Sequence, residues 1–599
     1  MTLKYKNDSM ERRIDIQLLR ALAVIFVVLF HLETPGIASG FLGVDVFFVV
    51  SGFLMAILYK QGETKKFFER RAKRLLPAYF TTVLVTLLLA IFLILPSELG
   101  QVVNQSIYSL FFVNNIGFWM QNSYFSKLDF NPLLHLWSLG VEIQFYLIVP
   151  VLAWLFSKTR IFLFLAILAS FLACIFILGI STKTSFFMMP LRMWEFLIGF
   201  VVAYYFTIHG AVKYQRYSWI GLVSLAVLCL IPFLQVDGET LNRFSGHPSF
   251  YALLVCIMTG LVLSFGLPKF IQHHALSQMI AKIGDYSYSI YLVHFPIIVL
   301  YLYTPFAGTT LHAATVLDKV ILFCLIVVAS ILMHRGVETR KLSHIGKVYL
   351  ISIASIFMLT GAAKISPSLK YNTMEVNIFH GLEDRDVYRC GKLMRIFNPR
   401  AISCKINAEN FEQSVLLVGN SHADSIKKVF AEVATQHQLN TYFLVSNTPL
   451  MDQSVTPQRL IEEAEKLKIK HIVLHYSPNA LQQQMLEQTI ALAQHAKIKV
   501  DFIMPVPIYA ESVPKMIYLD HQQFKYDVMK YHLDVANFSQ QTAALQDKYK
   551  NLTVQKVSQI FCHPQCEIAD HEKRPYYFDS NHLNLTGSRL LKPIFDQIL

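Results

Sequence analysis

The chain has 599 residues, of which 54% are hydrophobic and only 16% charged, and its mean hydropathy is +0.43. Soluble proteins carry about a quarter charged residues, so a wholly soluble enzyme is disfavoured, while 46 Phe and 28 Tyr exclude a disordered chain. The net charge of +13 does not point to nucleic acid, because residues 1–366 hold 28 Lys and Arg against 16 Asp and Glu, whereas the remainder holds 25 against 24. Positive charge lodged in the apolar part orients membrane loops rather than gripping phosphates.

Eleven apolar runs near the spanning length of about 20 residues follow in chain order: 16–32, 41–59, 78–95, 136–156, 162–180, 191–207, 218–235, 249–266, 287–304, 317–334 and 347–363. The first contains Arg20 and no small-residue cleavage site, which argues against a cleaved signal peptide. A further apolar stretch, 107–120, is interrupted by Asn114 and Asn115 and is expected to be interfacial or re-entrant. With the N-terminus in the cytoplasm, the loops on that side hold 21 Lys and Arg and the opposite loops 3. An odd number of spans then delivers everything after Lys364 to the outer, periplasmic side. The expected organisation is a membrane domain (1–345), a linking transmembrane helix (346–366), an irregular periplasmic linker (367–413) and an α/β domain (414–599).

In the tail, the β-rich runs Ser414–Val418, Thr441–Val445, His471–His475 and Val500–Met504 alternate with helical stretches near 422–437, 457–469, 480–496 and 522–549. Such alternation predicts a doubly wound parallel sheet whose ligands bind at the strands' carboxyl ends. Four cysteines, Cys174, Cys229, Cys256 and Cys324, fall in apolar runs and read as small apolar side chains. Cys390, Cys404, Cys562 and Cys566 lie in the tail, where an oxidising compartment allows disulfides; the local pairing, 390 with 404 and 562 with 566, is expected among three possibilities. A zinc site from Cys562, His563, Cys566 and His571 is the weaker alternative, and no metal is expected.

The first of these strands ends in Gly419-Asn420-Ser421-His422, and Asp579-Ser580-Asn581-His582 precedes a predicted last helix at 586–598. A carboxylate three residues before a histidine can orient the imidazole, which can then deprotonate a serine brought near by the fold. Alone, the serine reads as a helix cap and the Asp-x-x-His as chance. Together, with the block Tyr577 to Leu583, they resemble the SGNH hydrolase family, which implies a three-layer α/β fold with Ser421, His582 and Asp579 as catalytic residues. Two departures stand out: the family usually has Gly-Asp-Ser here, and no glycine occurs between Gly419 and Gly587 to serve the oxyanion hole. Asn479, or backbone donors from Ser421 and the Ser446 to Thr448 turn, are the candidates for that role.

Ionisable side chains in apolar segments are costly and so are functional candidates by default. Arg20 and His31 share the first run; Gly43-Val44-Asp45 opens the second; Arg70, Arg71, Lys73 and Arg74 follow it. His135, Ser138 and Glu142 fall on one helix face, as do Ser287, Tyr291 and His294, and Arg192 and Glu195 are three apart. More modest readings stand beside these: the basic run 60–77 as a membrane anchor, Arg192 with Glu195 as an intrahelical pair, and His294 and Glu142 as interhelical hydrogen-bond partners.

The Arg20 to His31 spacing, Arg71-x-x-Arg74, the run His135-x-Trp137-Ser138-Leu139-x-Val141-Glu142-x-Gln144-Phe145-Tyr146 and Tyr288-Ser289-Ile290-Tyr291-Leu292-Val293-His294 resemble the acyltransferase-3 family of polytopic membrane acyltransferases over residues 11–345. Ile143 stands where that family often has a second glutamate. The resemblance implies acyl transfer, generally from acyl-CoA, to an extracytoplasmic carbohydrate; the fusion resembles bacterial surface-polysaccharide O-acetyltransferases of the inner membrane. The expectation is that Arg20, Arg71 and Arg74 hold acetyl-CoA. His31, about 15 residues or roughly 23 Å along its helix, would promote transfer, oriented by Asp45 or Glu142, and Ser421 would deliver the acetyl group to lipopolysaccharide, O-antigen, capsule or a related glycan. Two other readings remain: a transporter of sugars or lipid-linked intermediates with a binding lobe, and a membrane-tethered acetyl esterase.

Overall fold

The computed structural model describes residues 13–121, 130–159, 161–209, 217–238, 240–308, 315–340, 344–386, 388, 402–444, 455–478, 482–520, 528–563 and 565–599. Helices occupy all eleven apolar runs: Ile14–His31, Gly43–Leu58, Thr64–Leu93, Leu136–Lys158, Ile161–Leu178, Met189–His209, Ser218–Leu230, Phe250–Phe265, Ala275–Tyr301, Val316–Met333 and Ile345–Lys370. Among the described residues eight helices are long and apolar enough to cross a membrane, and Ser218–Phe233 and Phe250–Phe265 are shorter apolar segments. The chain divides into two compact units, Met1–Ile94 with Leu99–Lys364 and Leu95–Glu98 with Ile365–Leu599, so the division falls inside the Ile345–Lys370 helix.

Within the first unit, the Gly43–Leu58 and Met189–His209 helices approach until a Cβ on Gly52 would lie 1.9 Å from the Phe196 carbonyl oxygen, and one on Gly199 1.9 Å from that of Val49. Backbones meet this closely only where side chains are missing, the usual device by which helices associate in lipid. The 107–120 stretch is two helices, Pro96–Leu110 and Asn114–Met120, separated by a turn with Phe112 at φ 56°. The asparagines that interrupt its apolar run are buried and bonded: Asn114 accepts from the Tyr79 hydroxyl at 2.9 Å, and Asn115 donates to the Phe187 carbonyl at 3.0 Å.

The second unit holds a six-stranded sheet in the order β1-β3-β2-β4-β5-β6. Its strands are β1 (Ser403–Lys405), β2 (Gln413–Gly419), β3 (Leu439–Leu444), β4 (His471–His475), β5 (Lys499–Ile503) and β6 (Leu552–Gln555). All neighbours pair in parallel except β1, which lies antiparallel to β3. β2 and β4 are central and read as continuous apolar runs because helices cover both faces. The four predicted strands are present. β1 and β6, of three and four residues, were not predicted, being too short to display a period. The predicted long helix 522–549 is two within its described part, Val528–Asp534 and Ala536–Lys548, and the last helix is two short ones, Leu585–Arg589 and Lys592–Ile598.

The expected irregular linker, residues 367–413, is in part built into this unit. Its Thr373–His380 helix is closed by a reciprocal cap between Asn372 and Glu375. Asp384 accepts from the Thr586 amide at 2.9 Å and its hydroxyl at 2.6 Å, capping the 585–589 helix. Asp386 pairs at 2.9 Å with Lys427, which is wholly buried and also meets Asp424 at 3.1 Å. Cys562 and Cys566 are disulfide-bonded to each other, which removes the thiolates a zinc site there would need. Cys404 is disulfide-bonded as well; its expected partner, Cys390, lies outside the described residues.

Candidate active sites

At the carboxyl end of β2 the chain turns directly into the Ser421–Gln436 helix, with Ser421 as its first residue and exposed. His582 Nε2 lies 2.6 Å from Ser421 Oγ, and His582 Nδ1 lies 2.6 Å from Asp579 Oδ2. The other carboxylate oxygen, Asp579 Oδ1, accepts from the backbone amides of Asn581 at 2.9 Å and His582 at 2.7 Å. Burial alone would raise the Asp579 carboxyl, but the His582 side chain and these two amides outweigh it and hold it below the ordinary carboxylate range. An ionised Asp579 requires Nδ1–H on His582 and leaves Nε2 to accept the serine proton. The Phe578 ring stacks on His582 with centroids 5.4 Å apart and planes 6° apart, and the Arg385 guanidinium sits 5.3 Å from the Phe578 centroid. Sequence reasoning found all three members of this relay, though not the aromatic and cationic support behind them.

Two more histidines lie behind the serine. His422, on the Ser421 helix, has its ring 4.9 Å from that of His582 and 6.0 Å from that of His475, at the end of β4. Both are buried, and burial drives His422 well below the ordinary imidazole value and His475 to about 4. Asn420 caps the helix by accepting the His422 amide at 3.1 Å and donates its own amide to Ser477 Oγ at 2.8 Å. Asn479 and the Ser446 to Thr448 turn, expected for the oxyanion hole, lie outside the described residues.

A second histidine constellation occupies the membrane unit. The Ile14–His31 and Ala275–Tyr301 helices pack so closely that a Cβ on Gly284 would lie 2.1 Å from the Gln17 carbonyl oxygen. This packing brings His31 Nδ1 to 3.1 Å from His294 Nε2. His294 Nδ1 lies 2.7 Å from the Tyr291 carbonyl and 3.1 Å from that of Ile290, so Nδ1 carries the proton and Nε2 must accept. The proton between the two rings therefore sits on His31 Nδ1, and the basic lone pair of His31 is on Nε2. A hydrogen bond to the Val27 backbone, one turn back, also holds the ring. His135 joins the cluster through Pro296. Proline has no amide to offer the carbonyl four residues earlier, and His135 Nε2–H fills that vacancy by donating to the Leu292 carbonyl at 3.0 Å.

Asp45 and Glu142 do not orient His31. Asp45 accepts from Arg192 at 2.8 Å, and Arg192 also donates to Glu195 at 2.6 and 3.1 Å, all three fully buried. His247 approaches Asp45 at 3.9 Å, and the guanidinium lies 5.3 Å from the Phe48 centroid and 5.6 Å from that of Trp137. A buried arginine captures carboxylates because leaving it uncompensated costs more than any alternative pairing. The Arg192–Glu195 pair was legible from its spacing; the arrival of Asp45 from another helix was not. Glu142 instead accepts from the Ser51 and Tyr146 hydroxyls.

Glu142, Ser51 and Tyr146 line one pocket together with Arg20, Arg71 and Arg74. The three arginines singled out for a phosphate-bearing ligand thus share one cavity. Its wall includes Ser138 and Tyr291, whose hydroxyls are 2.6 Å apart, and the Tyr291 ring lies 5.6 Å from that of His294. Tyr291 thus stands between the pocket and the histidine cluster. Among the described residues no group of His, Cys, Asp and Glu could hold a metal ion.

These features define a class: a polytopic helical membrane unit with a histidine-centred site, followed by an α/β unit with a hydrolase-type serine, histidine and aspartate. Residues 13–335 match the acyltransferase-3 family profile, described as an acyltransferase domain, and residues 389–597 match the SGNH domain found fused to such domains. The chain belongs to the acyltransferase-3 family. It is 30% identical over 304 residues to the O-acetyltransferase OatA of Staphylococcus aureus, which is 47% of this chain and 50% of that protein. It is 32% identical over 306 residues to the peptidoglycan O-acetyltransferase OatA of Listeria monocytogenes, 47% and 49% respectively. The chain thus spans about half the length of the curated relatives it matches.

Proposed function

We propose that the protein is an inner-membrane O-acetyltransferase that takes an acyl group, most simply acetyl, from cytosolic acyl-CoA and places it on a hydroxyl of an envelope glycan outside the cytoplasmic membrane. The observation that carries this reading is the Ser421–His582–Asp579 relay, with both contacts at 2.6 Å, in a chain whose other unit is an acyltransferase domain. The loop charges support a cytoplasmic N-terminus and a periplasmic second unit. In this scheme Arg20, Arg71 and Arg74 bind the donor's phosphates, and the neutral His31 uses its Nε2 lone pair as a base in the first transfer. Ser421 Oγ then bonds to the acyl carbon as that carbon's bond to the group carrying it breaks, and the serine proton passes through His582 Nε2 to the departing group. In the second step the acceptor hydroxyl loses its proton to His582 and bonds to the acyl carbon, and the Ser421 oxygen leaves with the proton that His582 returns.

Lipopolysaccharide, O-antigen and capsule are the acceptors suggested by the resemblance, and the name of the Listeria relative adds peptidoglycan. The test compares acetyl esters on the surface glycans of cells expressing the wild type, Ser421→Ala or no protein. Acetylation that depends on the chain and vanishes with Ser421→Ala supports the reading; full acetylation by Ser421→Ala refutes the role of the second unit. A reporter active only after export, fused to the C-terminus, checks the orientation, and a cytoplasmic readout would rule out transfer across the membrane. A transporter with a binding lobe would have no need of Ser421, and a tethered esterase would lower glycan acetylation rather than raise it.

A further inference from the structure

We infer that the Ser477 hydroxyl is the side-chain oxyanion donor of the Ser421 site. The inference rests on the reading of Ser421 as nucleophile and adds to it the residue that binds the developing negative charge. β2 and β4 run parallel with Gly419 opposite His475. Ser421 and Ser477 each follow that pair by two residues, so both sit just beyond the carboxyl ends of adjacent central strands, where such sheets bind their ligands.

The direction of the hydrogen bond between Asn420 and Ser477 decides what Ser477 can do. Asn420 Oδ1 is occupied by the His422 amide at 3.1 Å, so the group facing Ser477 Oγ at 2.8 Å is the amide Nδ2–H. Ser477 Oγ is therefore the acceptor in that contact. Its own hydrogen has no acceptor among the described residues and can be given to a ligand beside Ser421. The two departures from the SGNH pattern thereby become one device. An aspartate at position 420 would accept from Ser477 and turn its hydroxyl away, whereas the asparagine present here frees it, in a tail without the glycine that would otherwise provide a backbone donor.

When Ser421 Oγ bonds to the acyl carbon and its proton passes to His582, the carbonyl π pair moves onto the acyl oxygen. That oxygen takes a hydrogen bond from Ser477 Oγ–H and a second from the Ser421 amide, the first of its helix and without an intrahelical partner. Collapse of the tetrahedral centre returns the pair to the carbonyl and expels the leaving group, which takes the proton from His582.

The test uses the purified full-length protein with p-nitrophenyl acetate. Loss of one oxyanion donor typically lowers kcat about 100-fold to 1,000-fold, so Ser477→Ala should lower kcat on that scale with KM within about twofold, and Ser477→Thr, which keeps a hydroxyl, should recover much of it. Asn420→Asp retains the helix cap yet reverses the bond, so it should lower kcat comparably, and adding Ser477→Ala to it should cost little more. Were Ser477 only a prop for Asn420, Asn420→Asp would keep its activity. Wild-type kcat in either Ser477→Ala or Asn420→Asp overturns the inference. Wild-type turnover by Ser421→Ala would instead overturn the nucleophile reading, so the two failures are distinguishable.

Discussion

The two histidine sites solve one problem with opposite means. His582 is oriented by a carboxylate, Asp579, in a water-accessible α/β unit, whereas His31 is oriented by another imidazole, His294, in the membrane unit. Each partner fixes the tautomer so that Nε2 carries the lone pair. Only the carboxylate would also supply a countercharge to an imidazolium. In an apolar interior a carboxylate used only to orient a ring would need a counterion of its own. An imidazole whose Nδ1–H is anchored on backbone carbonyls orients its neighbour without adding charge. Of the carboxylates buried in the membrane unit, Asp45 and Glu195 are held by Arg192 and Glu142 by the Ser51 and Tyr146 hydroxyls.

The sharpest way to separate the two sites is to disable each one. His31→Ala should eliminate glycan acetylation in cells while the full-length protein still hydrolyses a small activated acetyl ester at Ser421. Ser421→Ala and His582→Ala should remove both activities, by about 1,000-fold or more, because nucleophile and base act as a unit. Asp579→Asn should be milder than either. Normal cellular acetylation by His31→Ala would dissolve the division of labour.

A smaller effect tests the imidazole orienter. His294→Ala should lower transfer from labelled acetyl-CoA by about 10-fold to 100-fold with KM for the donor unchanged, since only the tautomer and angle of His31 are lost. His294→Gln, whose amide oxygen can accept from His31 Nδ1–H, should recover part of that rate. Equal loss in both variants would mean that His294 does more than accept this proton. Replacing Arg71 and Arg74 with Gln should instead raise KM for the donor about tenfold with little change in kcat, because phosphate contacts are made equally in the ground and transition states.

The mildest test is invisible at neutral pH. His475 is held neutral with its value lowered to about 4, so below about 6.5 the unfolded chain binds a proton there that the folded protein refuses. Folding stability should therefore fall as pH drops from about 6.5 to 4, by about 3 kcal/mol from this residue. The unfolding midpoint, followed over that range, should show a flatter dependence in His475→Gln. The depressed Asp579 carboxyl acts in the same direction but further into acid: its contribution is present above the unfolded carboxylate value and disappears as pH falls through the folded one.

How much of this was legible in the sequence depended on how local each signal is. Apolar runs report burial in lipid residue by residue, so all eleven helices could be located, and β2 to β5 stood out as compact β-rich runs. Ser421 and the Asp579 to His582 pair were legible because strand-to-turn chemistry and a three-residue offset are local facts. The partner of His31 was not, because 263 residues separate it from His294, and the order of the helices pointed to Asp45 or Glu142. That inference failed on a competing partner, as the guanidinium of Arg192 outbids an imidazole for a buried carboxylate. The interruption of the 107–120 apolar run by Asn114 and Asn115 was legible, but neither the helical break at 111–113 nor the burial and bonding of the two amides was.

The contact between Asp45 and Arg192 spans 147 residues and bears on how the molecule is made. The Gly43–Leu58 segment emerges from the ribosome long before Met189–His209, and during that interval Asp45 lacks its guanidinium. A carboxylate left alone in hydrocarbon is costly, so the earlier segment must be kept from lipid, by protein, water or a proton, until the later one is synthesised. Insertion of this chain is accordingly cooperative rather than one helix at a time, and a ribosome stalled between the two segments would leave a nascent chain dependent on the insertion machinery.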